Sequence, residues 1–77
     1  MNDNKVKVEK LNNIECWIAR DKTSNLFLHF TKPRLCGTVW CPQEGSYARQ
    51  IDTDLFPEVT FENSPKKVKV TIEMGNE

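Results

Sequence analysis

The sequence predicts a small all-β domain built around an antiparallel sheet, and three observations lead there. Residues 67–73 alternate Val68, Val70 and Ile72 against Lys67, Lys69, Thr71 and Glu73, the period of two that gives a strand one buried and one wet face. Residues 15–20 and 26–31 are rich in apolar and aromatic side chains and enclose Asp21-Lys22-Thr23-Ser24-Asn25, so they read as a hairpin. No stretch repeats its apolar residues at helical spacing.

The remaining elements follow in chain order. Val6 and Val8 alternate with Lys5, Lys7 and Glu9, which makes residues 1–14 a polar segment compatible with an edge strand, ending at an Asn12-Asn13 turn. In the second hairpin strand Leu26, Leu28 and Phe30 share the expected core face, while Phe27, His29 and Thr31 take the outer one. Pro33 ends that strand because it has no N–H to donate. A third strand is expected over 37–41 and a fourth over 47–51, separated by Pro42-Gln43-Glu44-Gly45-Ser46. Successive pairing of these strands would make a meander from 15 to 51, and closure into a partial barrel is left open.

Residues 52–57 break the pattern. Asp52, Thr53 and Asp54 have side chains that bind nearby backbone, so a tight turn or one turn of 3₁₀ helix is expected there, with Leu55 and Phe56 pointing inward as a plug. Exposure of Phe56 would instead make it the centre of a contact surface. A brief strand over 59–62 and a turn at Asn63-Ser64-Pro65 follow, and residues 74–77 are expected to form a disordered tail.

At 77 residues the chain holds one domain, spanning 15–73. A core of this size contributes only about 3–5 kcal/mol net, so association with another copy is a natural expectation. Eleven Lys and Arg balance eleven Asp and Glu, which weighs against the phosphate neutralisation that nucleic-acid binding needs. Asp52, Asp54, Glu58 and Glu62 nevertheless form an acidic stretch directly before Lys66, Lys67 and Lys69. No apolar run is long enough to span a membrane, and residues 1–5 lack the apolar stretch of a secretory signal. A cytoplasmic protein with reduced cysteines is therefore expected.

Candidate chemical sites reduce to ordinary structural roles. Cys16, Cys36, Cys41 and His29 could be written as a zinc site, but the residues between Cys36 and Cys41 read as strand and not as a metal-binding knuckle, so no metal or other cofactor is expected. His29, expected on the outer face of its strand, has no evident orienting partner for a cysteine nucleophile. The carboxylates of 52–62 lack the glycine that a calcium loop requires. No catalytic residue is assigned. The candidate binding surface is Trp17, Arg20, Phe27, His29, Trp40 and Arg49, where aromatic and basic side chains interleave.

Trp17-Ile18-Ala19-Arg20-Asp21-Lys22, Leu26-Phe27-Leu28, Lys32-Pro33, Trp40 and the string Asp54-Leu55-Phe56-Pro57-Glu58-Val59-Thr60-Phe61-Glu62-Asn63-Ser64-Pro65 resemble a set of short uncharacterised bacterial and phage-associated proteins. The likeness covers residues 17–70 and implies no activity, cofactor or catalytic residue. The functional expectation is a non-enzymatic protein-interaction module that binds a protein partner or another copy of itself. The alternative is a β domain for single-stranded nucleic acid, which a cluster of Arg20, Lys32, Arg34 and Arg49 on one aromatic face would favour.

Overall fold

In the computed structural model, which describes residues 13–71, the chain is all-β and has no helix among those residues. The strands are β1 (Asn13–Arg20), β2 (Leu26–His29), β3 (Arg34–Cys36), β4 (Val39–Cys41), β5 (Ala48–Ile51) and β6 (Lys66–Thr71). Four of them form one antiparallel sheet in the order β5-β2-β1-β6, and β3 and β4 form a separate two-stranded ladder. The sheets do not close into a barrel. Expectations for residues 1–12 and 72–77 lie outside the described residues.

β1 is central because it is the longest strand and carries apolar side chains in both directions. Its 15–20 segment pairs with β2 as the sequence predicts, with Trp17 opposite His29 and Arg20 opposite Leu26. Asn13, expected in a turn, already belongs to β1 and faces Thr71 of β6. The closing amphipathic strand pairs along the other side of β1, with Cys16 opposite Val68 and Ile18 opposite Lys66.

The meander expected over 15–51 is corrected at its third strand. The Gly37-Thr38 turn, with Gly37 at φ +68, folds 34–41 back on itself, so that β3 and β4 satisfy each other and leave the sheet. β5 then takes the place beside β2, where His29 faces Ala48 and Leu26 faces Ile51. The hairpin is fastened across the end of β1 by Lys22 N–H donating to Thr38 O at 3.0 Å and Trp40 N–H donating to Asp21 Oδ1 at 2.9 Å.

Alternation along β1 and β2 gives the sheet two faces of different character. On one, Ile18, Leu26 and Val59 are buried together, with Leu28, Ile51 and Val68 packed against them. Val59 comes from the irregular segment between β5 and β6, which serves as the lid of this core; the strand expected over 59–62 is a series of turns. On the other face Ala19 and His29 are buried. His29 is 1 % exposed, which corrects the expectation of a surface strand residue: it lies opposite Trp17, on the face away from Ile18, but is buried there.

Phe30 was expected in the core and is exposed, tilted against the exposed Tyr47 at 5.4 Å between ring centroids. It lies past the end of β2, away from the part of the face that Val59 covers. Leu55 and Phe56, expected as a plug, are 46 % and 43 % exposed, whereas Val59 is 4 % exposed. Replacing Val59 by Ala should therefore cost about 2 kcal/mol in urea unfolding. Leu55→Ala should stay within about 0.5 kcal/mol of the parent. Equal losses for the two variants would restore Leu55 to the core.

Candidate functional site: a knuckle held by Arg20

Residues 52–64 contain no regular structure, so their backbone polar groups must be satisfied one at a time. Asp52 begins this locally: its Oδ1 accepts the Asp54 N–H at 3.0 Å and its carbonyl accepts the Leu55 N–H at 3.1 Å. The turn expected from the Asp52-Thr53-Asp54 chemistry is thus present. A second turn is closed by Val59 N–H donating to Phe56 O at 2.9 Å. Thr60 and Asn63 then bind each other's backbone, Thr60 N–H to Asn63 Oδ1 at 2.8 Å and Asn63 N–H to Thr60 Oγ1 at 3.1 Å, while Asn63 Nδ2 donates to Glu58 O at 3.0 Å.

Arg20, the last residue of β1, satisfies what these local turns leave open. Its Nε donates to Val59 O, its Nη1 to Ser24 O at 2.8 Å and Thr53 O at 3.1 Å, and its Nη2 to Leu55 O at 2.9 Å and Phe56 O at 3.0 Å. A guanidinium has five N–H donors. All five are engaged, and every acceptor is a main-chain carbonyl. The Arg20 main chain joins in, its N–H donating to Ser64 Oγ at 2.9 Å, and that hydroxyl in turn donates to Thr60 O.

This arrangement explains why the plug expectation fails. With the carbonyls of Thr53, Leu55, Phe56 and Val59 all turned toward one planar cation, the guanidinium occupies the inside of the knuckle. The Leu55 and Phe56 side chains are consequently directed outward. Phe56 sits at φ +51, a left-handed conformation that costs a non-glycine residue roughly 1–3 kcal/mol. Two hydrogen bonds on its carbonyl, from Arg20 and from Val59, hold it there. Asp52, Asp54 and Glu58 flank the pair and are exposed, giving an apolar tip with an acidic border.

The six residues of the sequence-derived binding surface do not share one surface. Trp17 and Phe27 are half-buried on the face of the sheet away from Ile18, where Lys67 Nζ lies 5.9 Å from the Trp17 ring, and His29 is buried on that face. Arg49, exposed, lies opposite Leu28 on the lid side. Trp40 belongs to the hairpin and tilts against Phe61 at 6.2 Å. Arg20 has its donors turned inward to the knuckle. Sequence reasoning missed Leu55 as an exposed residue and Asp21 as the anchor of the hairpin; only the Asp52-x-Asp54 spacing marked the knuckle, and it marks a turn without showing which way the turn faces.

Both ring nitrogens of His29, Thr31 Oγ1 and Trp40 Nε1 are buried with no hydrogen-bond partner among the described residues. Burial holds the His29 imidazole below its ordinary pKa, and the Asp21 carboxylate opposes part of that shift. Among the described residues no three His, Cys, Asp or Glu side chains are grouped so as to hold a metal ion. No family model, curated protein or solved structure matches the chain.

Two measurements test this geometry. Arg20→Lys keeps the charge but replaces a planar five-donor fork by a single ammonium. It should cost about 2–3 kcal/mol and lower Tm by roughly 10–20 °C, as read by thermal unfolding. A change below about 0.5 kcal/mol would show that the carbonyls find other donors.

For His29, the unfolded chain binds more protons than the folded one once pH falls below about 6.5, because only the folded ring resists protonation. The stability of the neutral ring is therefore full above that pH and lost as pH falls toward the lowered folded value. Between pH 7 and 5 the parent should lose more stability than His29→Phe. Parallel pH profiles would contradict the burial of an unpartnered imidazole.

Proposed function

We propose that the chain is a non-enzymatic protein-interaction module whose contact point is the Leu55-Phe56 tip. The observation that carries this reading is the exposure of two adjacent large apolar side chains on a backbone that is strained and yet pinned by four hydrogen bonds from one arginine. Strain retained in a rigid frame is a common mark of a functional segment. A preorganised aromatic anchor loses little entropy on binding, and such anchors dominate interface energies.

The border of Asp52, Asp54 and Glu58 points to a partner, or a second copy, that offers an apolar pocket with basic side chains around it. Single-strand nucleic-acid binding is a weaker reading, since Arg20 has no donor left for a phosphate and Arg34 and Arg49 stand on separate sheets.

Phe56→Gly separates binding from folding. Glycine accepts the positive φ without strain, so the variant should unfold within about 1 kcal/mol of the parent. Loss of an anchor should weaken binding by about 2 kcal/mol, or roughly 30-fold in Kd. The measurement is affinity capture followed by titration of the captured protein, together with sedimentation of the purified chain for self-association. Equal binding or equal self-association by parent and variant would remove the tip from the interface.

A further inference from the structure

The β3–β4 hairpin carries a feature that the knuckle reading does not use. Cys36 faces Val39 and Arg34 faces Cys41, so the two cysteines sit diagonally on one side of the ladder, separated by the Gly37-Thr38 turn and two strand residues. Diagonal neighbours lie about 7–8 Å apart between Cα atoms, a two-stranded ribbon twists more strongly than a wider sheet, and a side-chain hydrogen bond joins Cys41 to Cys36. Both thiols are half-buried, while Cys16 is buried on β1 in the main sheet, paired across from Val68. Of the three cysteines, Cys36 and Cys41 alone are neighbours on one ladder.

We propose that Cys36 and Cys41 form a thiol–disulfide exchange site that accepts low-molecular-weight disulfides of the glutathione class and closes an internal disulfide across the hairpin. A hydrogen bond with the Cys36 thiol, together with burial, pushes the Cys41 thiol above its ordinary pKa, and the first attack is assigned to Cys36 with Cys41 as the resolving thiol.

Cys36 releases its proton to solvent, and its thiolate attacks one sulfur of glutathione disulfide. That S–S bond breaks, a Cys36–glutathione mixed disulfide forms, and the departing glutathione thiolate takes up a proton. Cys41 then loses its proton and attacks the Cys36 sulfur, which expels the second glutathione as a thiol. Two protein thiols are oxidised and one glutathione disulfide is reduced to two glutathione molecules.

The test is incubation of the folded full chain with glutathione disulfide, followed by intact mass measurement and peptide mapping. The expected product has lost two hydrogens, joins Cys36 to Cys41 and leaves Cys16 as a free thiol. Cys41→Ser should stop at the Cys36–glutathione mixed disulfide, and Cys16→Ser should react as the parent does. Glutathione adducts on both hairpin cysteines without an internal bond, or no reaction at all, would overturn the proposal.

Discussion

The fold depends on one side chain placed where a regular element meets an irregular one. Arg20 ends β1 and faces thirteen residues, 52–64, that form neither strand nor helix. Such a segment is expensive to order because its carbonyls have no ladder to hold them. A lysine would offer one compact ammonium, and an apolar residue would offer nothing. The guanidinium offers a rigid fork, and the chain wraps its carbonyls around that fork from both sides, with Ser24 from the β1–β2 turn and Thr53, Leu55, Phe56 and Val59 from the knuckle.

Two consequences follow from that placement. Fixing the Val59 carbonyl sets the Val59 side chain on Ile18, Leu26 and Leu28, so the same interaction that organises the loop also closes the core. It also turns the Leu55 and Phe56 side chains outward. Core and candidate contact point are thus opposite sides of one device. Asp21, the next residue, does the equivalent work for the hairpin: its carboxylate holds the Trp40 amide and thereby the β3–β4 ladder. Neighbouring charged residues at the end of the central strand each fasten one outlying piece to the sheet.

Much of the regular structure was legible because period-two alternation is a local signal. The hairpin of β1 and β2, though β2 stops at His29 and not at residue 31, the strand ending at Ile51 and the closing strand, expected from Lys67 and found over Lys66–Thr71, are all present. What the pattern could not show was partnership. Nothing in Gly37 to Cys41 says that the glycine will turn the chain there, although a positive φ at Gly37 is what shortens the expected third strand to β4 and pairs it with β3, which was not expected. Apolar composition also misleads where side chains and carbonyls compete for the interior. Leu55 and Phe56 have the makings of a plug, but a cation from a strand more than thirty residues away claims the inside of their turn. For the same reason the six-residue surface, chosen by residue type, divides between two faces and a separate hairpin.

A scaffold that commits an arginine wholly to main-chain carbonyls presents its loop as a rigid body, which is the property an exposed aromatic anchor needs. Side-chain NMR on the arginines, in protein labelled with nitrogen-15, reads this commitment directly. Arg20 should give resolved, slowly exchanging Hε and Hη resonances with restricted rotation about its guanidinium bonds, while exposed Arg34 and Arg49 give averaged, rapidly exchanging signals. Averaged guanidinium signals for Arg20 like those of the other two would contradict the account, because the knuckle would then have no fixed centre.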